Sequence, residues 1–466
     1  MGKRRGAGLG EMVSRFAEGS ALPVMVRATL ENALAPEALN ALFERTAKRQ
    51  YTRDLLFSDI VNLTSSVVSG SRESLHAAYQ DMLEDVSVSA ASVYNKVNGM
   101  EPEVSAALVR HTNEQLHPVI AAMEGALPSL LTGYRLKILD GNHLAATERR
   151  LKVLRRSKAG PLPGQCLVVL DPASMQAIDV ILCEDGHAQE RSMSDCILAL
   201  VKERDVWLDD RNFCTTRLLF GIEERKAFFI TRQHGSLPCE SLGPRRQRGR
   251  IASGMVYEEM VRLTDSGEPE RTLVLRRITI VLDKPTRGGD PEIYILTNLP
   301  AGDAPAETVA GIYGKRWKIE SLFQELEAAL RSEIPSLGYP RAALFVFCMA
   351  LVAYNVLSVI KAALRAQYGA DRVEKEVSNY YMAWELRATY EGMCIAIPKQ
   401  EWASFQNMTP TQLGATLLDL AAAIKLAKFR KHPRGPKKPV PPRTRFRTHR
   451  HVSTARLLAA ARKTAP

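Results

Sequence analysis

AGDAPAETVAGIYGKRWKIESLFQELEAAL, residues 301–330, decides the reading of this chain. Pro305 and Glu307 suit a helix start. From there the spacing predicts an amphipathic helix. At 100° per residue Tyr313, Arg316, Glu320 and Glu327 share one side, while Ile312, Ile319, Leu322, Leu326, Ala329 and Leu330 lie largely on the others. A charged helix face is usually no more than a solvated surface. The order Tyr-x2-Arg-Trp-x2-Glu-x2-Phe is more pointed. It sets an aromatic ring, a fork-shaped cation and a carboxylate together, a combination suited to a phosphate beside a metal ion.

Working outward, two aspartates supply the carboxylates such a site needs. Tyr134–Leu139 (YRLKIL) alternates like a strand and is expected to end at Asp140. Val206–Leu208 is a short strand ending at Asp209-Asp210. Functional groups collect at the C-terminal ends of strands in sheets with parallel pairs. An aspartate at a strand end more often caps the next turn, so neither is specific alone. Together with Glu320 they form a three-carboxylate set without Cys or His. Such a set suits hard cations such as Mg²⁺ or Mn²⁺.

The surrounding pattern is α/β. Gln165–Leu170 (QCLVVL), Ala177–Cys183 (AIDVILC) and Ala227–Thr231 (AFFIT) read as strands, with helices at Ser194–Glu203 and Cys214–Gly221. Between 234 and 300 a Gly/Pro/Arg loop (LGPRRQRGR) precedes strand-like runs at Met255–Leu263, Arg277–Leu282 and Ile293–Asn298. Residues 1–130 read almost wholly helical. Ala35–Arg49, Asp54–Ser69, Ser71–Met82 (with Ser71 as N-cap) and a small-residue helix near Val86–Val97 follow one another. The last two suit either a helix-turn-helix reader or an ordinary hairpin. Ala342–Ile360 carries no charge over its length. A fully buried core helix is the favoured reading, a membrane span the lesser one.

The 466 residues are 45% hydrophobic, enough for several domains and a large core. The net charge is +12, yet residues 425–466 alone hold fourteen Lys and Arg and no acid. The basicity is therefore a tail over a nearly neutral body, with local patches at Lys3–Arg5 and Arg245–Arg250. A tail of that charge suits phosphate contacts with nucleic acid. Its stretch from His432 to Arg445 is Pro-rich and reads as extended. The seven cysteines are scattered without a CxxC pair, so neither a zinc site nor a disulfide framework is indicated. Together with the lack of a signal-peptide pattern this fits a reducing cytoplasm.

LDGNHL at 139–144, DDRNF at 209–213 and Tyr-x2-Arg-Trp-x2-Glu-x2-Phe at 313–323 resemble the DDE transposases of bacterial insertion sequences, in the group with a Tyr-Arg-Glu-Lys signature. The resemblance implies an RNase H-like mixed sheet flanked by helices and interrupted by a β-rich insertion, behind an all-α N-terminal domain. It implies a helical DNA-binding domain at 1–130 and a catalytic domain at 131–233 and 301–424, the latter including C-terminal helices. The insertion would span 234–300 and the basic tail 425–466. Asp140, Asp210 and Glu320 are then the catalytic metal ligands for two Mg²⁺ or Mn²⁺ ions. The choice of Asp210 over Asp209 rests on the resemblance alone. Tyr313 and Arg316 would face DNA phosphate, with Lys315, Trp317 and Lys318 beside them. Double-stranded DNA, a dimer at synapsis, and a location in the cytoplasm on the nucleoid follow as expectations, with no membrane. The implied function is DNA cleavage at transposon ends and strand transfer. The alternatives are an RNase H-like nuclease that does not join strands and a degenerate DNA-binding protein. The motifs depart from the family in one place: the signature lysine, seven residues after Glu320, is Glu327.

Overall fold

Nine strands carry the fold: β1 Arg135–Leu144, β2 Gly164–Asp171, β3 Gln176–Cys183, β4 Asp205–Asp209, β5 Phe228–Arg232, β6 Arg246–Ile251, β7 Gly254–Thr264, β8 Thr272–Leu282 and β9 Glu292–Thr297. The structure is a computed structural model describing residues 10–463, apart from 53, 84–87, 146, 148–150, 156–158, 266, 287 and 433–449. The strands lie in the order 3-2-1-4-5-9-8-7, and β6 and the short pair Glu240–Ser241 both flank β7. β1 runs antiparallel to β2 and parallel to β4, and β4 is parallel to β5. This is the RNase H-like mixed sheet expected from the sequence. β2 and β4 are buried along almost their whole length, which is why QCLVVL and VWL read as continuous apolar runs.

The strands of 234–300 do not form a sheet of their own. β9 pairs antiparallel with β5, Ile295 opposite Arg232 and Thr297 opposite Ile230, so the sheet continues straight through. The Arg-rich segment expected as a loop holds a strand, β6, on β7. Charged residues and missing apolar alternation disguise it, as on many edge strands.

Helices cover both faces. On one, the helices Phe57–Val68, Pro102–Ala122, Trp317–Ala329 and Pro340–Tyr368 share a core with Ile138, Val168 and Leu208. On the other, Leu218, Leu219 and Ile222 of the helix Thr216–Glu224 pack on Leu139, Trp207 and Phe229. Pro340–Tyr368 is long and apolar enough to cross a membrane, but 94% of its apolar window is buried inside the protein, so it is a core helix. Asn355 in its middle has a structural task. Its side-chain oxygen accepts from Ala177 N at 2.8 Å and its amide donates to Ala177 O at 2.9 Å. Replacing Asn355 by Leu strands two buried backbone groups, an expected loss of roughly 2–4 kcal/mol in urea unfolding.

Several boundaries move. Ser74, not Ser71, caps the helix Leu75–Asp81, its Oγ accepting from Ala77 N at 3.2 Å. A second short helix, Ala90–Asn98, follows, and residues 84–87 between the two lie outside the described residues. The helix expected over Ser194–Glu203 is only Ser194–Leu198. Most of the Pro-rich stretch also lies outside the described residues, but the segment after it is ordered. His451–Ser453 pairs parallel with Gly160–Leu162, and the helix Thr454–Lys463 follows, with Arg456 Nε on Asp185 Oδ2 at 2.7 Å.

Candidate active site

Parallel pairing of β1 with β4 runs from Arg135 opposite Asp205 to Ile138 opposite Leu208. Asp140 and Asp210 each lie two residues past that last pair, so they stand level at the point where the two strands part. β1 does not stop at Asp140, as the sequence suggests. Its antiparallel partner β2 holds it extended to Leu144. Asp140 shares the sheet face of Leu136 and Ile138, the one on which the helix Trp317–Ala329 docks through Ile319, Leu322 and Leu326.

The strand alternation also separates Asp209 from Asp210. Asp209 is fully buried on the Trp207 face, beside Thr231. Burial drives its carboxyl well above the ordinary range. Asp210 instead opens the turn Arg211–Phe213, its Oδ1 accepting from Asn212 N at 2.7 Å.

Arg316 ties the helix to the sheet. It ends the turn Gly314–Arg316, between the helices Ala306–Tyr313 and Trp317–Ala329. Its Nη1 donates to Asp140 Oδ2 at 2.8 Å and its Nη2 to Glu320 Oε1, one helical turn on, at 2.6 Å. Asp140 Oδ1 accepts from Gly141 N at 2.9 Å. Burial pushes the Asp140 carboxyl up to about 6; Arg316 and the Gly141 amide pull against this, while the charges of Asp210 and Glu190 add to it.

Tyr313 is buried beside Arg316, and burial raises its hydroxyl pKa. Lys318 is half-buried, its ammonium on Pro172 O at 3.0 Å and its pKa lowered by burial. Lys315 and Trp317 face solvent, Trp317 with 60% of its surface exposed. Glu327 is exposed further along the helix. The residues of the motif thus divide: Tyr313, Arg316 and Glu320 turn toward the aspartates, Lys315 and Trp317 turn outward, and Lys318 is held by the protein itself. Beside Asp210 a cavity of about 400 Å³ is lined by Arg211, Arg232, His234, Arg277, Asp290 and Tyr294, among others.

Among the described residues, no three His, Cys, Asp or Glu side chains stand close enough to hold a metal ion, and Arg316 lies between Asp140 and Glu320. The donor chemistry nonetheless fits a hard cation: carboxylate oxygens only, one of them with its pKa raised by burial and by neighbouring negative charge.

One neighbour was not legible in the sequence. A Cβ added to Gly141 would lie 1.8 Å from Glu190 Oε1, so the Glu190 carboxylate packs directly over the residue after Asp140. Glu190 Oε2 accepts from Asn212 Nδ2 at 3.2 Å. Nothing in HAQERSMSD marks this glutamate. The one trace is the glycine at 141, which only a close neighbour requires.

Residues 133–356 match the family described as the transposase DDE domain. A curated protein of Sinorhizobium fredii (strain NBRC 101917 / NGR234), named "Putative transposase y4zB", is 27% identical over 198 residues, 41% of this chain and 52% of that one. The chain therefore spans about half the length of this curated relative. Among solved structures, a piggyBac transposase synaptic complex with hairpin DNA is similar at 10% identity and a TM-score of 0.39, over 82% of this chain and 84% of that one. The family matched over residues 133–356 is the one that the three motifs resemble.

Proposed function

We propose that the chain cuts DNA at the ends of a mobile element and joins the freed 3′-OH to target DNA. The observation that carries this reading is the convergence of Asp140, Arg316 and Glu320 beside Asp210, where β1 and β4 part, inside a transposase domain. Asp140, Asp210 and Glu320 would hold two Mg²⁺ or Mn²⁺ ions. Bound there, the ions supply Lewis-acid stabilisation of the phosphorane-like transition state and lower the pKa of an attacking water.

The chain's own groups do the rest. Water adds to phosphorus in line and the P–O3′ bond breaks, leaving a 5′-phosphate and a 3′-OH. That hydroxyl then attacks a target phosphodiester, so one P–O bond forms as another breaks and no covalent enzyme intermediate arises. Tyr313 and Arg316 border the reacting phosphate. Lys315 and Trp317 face outward, placed to meet the flanking backbone. The helices of 1–130 would read the element's ends, the basic tail would hold backbone, and two protomers would pair the ends.

Incubating end-containing DNA with the protein and Mg²⁺ tests this reading. Nicked 3′ ends and strand-transfer products are expected; cutting by Asp140→Ala at the wild-type rate would overturn the site. Cutting without joining would favour the nuclease reading, and tight end binding without cutting the degenerate one, for which Glu327 in the lysine's place is the motivating residue. Lys315→Ala is expected to weaken binding alike on all DNA sequences and to reduce the slope of log K against log salt by about one.

A further inference from the structure

We infer that the helix Ala90–Asn98 enters the major groove at the element's ends and reads bases through Asn95, while the loop that follows the helix Pro36–Thr46 holds flanking phosphate; the inference rests on the reading that the chain acts at those ends. The helix has two unlike faces. Val93 and Val97 are buried in the core shared with the helix Pro340–Tyr368. At 100° per residue Ala91, Asn95 and Asn98 fall on the opposite side, with Ser92 at its edge. Ala91, Ser92 and Asn95 are exposed, and the Asn95 side chain has no hydrogen-bond partner among the described residues. Solvated helix faces usually carry charge. This one carries none. Small neutral side chains let a helix approach base edges closely, and a primary amide matches the N6 and N7 of adenine with one donor and one acceptor.

The loop supplies the charge. Residues 45–53 hold four Lys and Arg and no acid. Their backbone is pinned from beneath. Glu101, only 5% exposed, accepts from the backbone N–H of Lys48 at 3.1 Å, of Arg49 at 2.9 Å and of Gln50 at 3.0 Å. The one nearby carboxylate is thus spent on main-chain amides. The side chains of Lys48 and Arg49 remain exposed, in no ion pair among the described residues. Loop and helix are also stitched to each other. Gln50 Nε2 donates to Lys96 O at 3.0 Å, and Lys96 Nζ donates to Tyr51 O at 2.8 Å. One preorganised unit therefore presents an uncharged helix face beside cations that lack counter-charges. A polyanion with readable edges complements both parts: phosphate contacts position a protein and base contacts give it specificity.

The arrangement is not the helix-turn-helix that the sequence allowed. Eight residues, 82–89, separate the helix Leu75–Asp81 from Ala90–Asn98, against the three or four of that motif's turn. The element that positions the reading helix is the pinned loop instead.

The test is binding of the full chain, by fluorescence anisotropy over a range of salt, to a duplex from the end of the element that encodes it and to a shuffled duplex of the same composition. Asn95→Ala is expected to bind the end duplex about tenfold more weakly and the shuffled duplex as the wild type does. Ala91→Glu sets a carboxylate on the same face, and end binding should fall with it; an acid in the first turn suits the helix, so folding is kept. The double variant Lys48→Ala/Arg49→Ala should weaken binding to both duplexes alike and reduce the slope of log K against log salt by about two. All four side chains are exposed, and unfolding temperatures should match the wild type. Wild-type end preference in both Asn95→Ala and Ala91→Glu would overturn the reading helix, and an unchanged salt slope in the double variant would overturn the phosphate loop; either result leaves the proposed cutting and joining intact. A wild type that prefers the end duplex but never cuts it would sink that reaction and leave this inference standing.

Discussion

Asp140→Asn is expected to cut end DNA on the order of 10³-fold more slowly than the wild type and, at neutral pH, to be the more stable protein. In the proposed reaction, loss of cutting follows from removing a ligand oxygen's charge at the reacting phosphate. The gain in stability follows from the raised pKa. Burial moves the Asp140 carboxyl from its ordinary value of 3.8 to about 6, so the folded state holds its proton more tightly than the unfolded chain. Stability is therefore lost as pH rises between these values, and at pH 7 the ionised side chain costs up to ~3 kcal/mol. Asn mimics the protonated acid. The advantage of the variant should be absent below pH 4, grow from there to pH 6, and level off above. Urea unfolding of both proteins across that range measures it, and equal stabilities at pH 7 would refute the burial argument.

Arg316→Gln is the second large effect, and it runs in the opposite direction. The guanidinium is mostly buried and donates to both Asp140 and Glu320. Breaking a buried pair from one side leaves charge without a partner, and a loss of roughly 2–4 kcal/mol is expected at pH 7, discounted for the partial exposure of Glu320. Without the guanidinium only the Gly141 amide pulls the Asp140 pKa down, so it rises further. Much of the loss should then vanish at pH 5, where Asp140 is protonated in the variant. Mg²⁺ should restore more stability to Arg316→Gln than to the wild type, because the cation no longer competes with a side chain for the same oxygens. A loss independent of pH and of Mg²⁺ would mean that Arg316 acts through packing alone. Cutting should fall in any case, since the same residue borders the DNA phosphate in the proposed reaction.

The sheet was legible because its strands are short β-branched runs, and the long core helix because it is apolar on every side. What the sequence hides has identifiable causes. Asp140 looks like a strand end because its apolar alternation stops there; β2 extends β1 through backbone pairing that needs no apolar side chain. β6 reads as a loop because an outer strand tolerates arginine. Asp209 and Asp210 are indistinguishable in a motif and become opposite in kind once the strand places them on different faces. Arg316 was read as a DNA contact, and the sequence did not show that its side chain also donates to two carboxylates of its own chain. Glu190 comes from a turn with no pattern, and only the packing of two turns brings it beside Asp140.

The continuity of the sheet through residues 234–300 bears on solubility. β5 has β4 on one side and β9 on the other. Cutting out the insertion would not simply trim a loop from an otherwise complete domain. It would bare one flank of β5, where Ile230, Thr231 and Arg232 now pair, as a row of open amides and carbonyls next to an apolar face, a template for association with another chain. The outer strands β6–β8, rich in arginine and glutamate, end the sheet in a form that water tolerates. The insertion thus serves as the sheet's protective border as well as its extension.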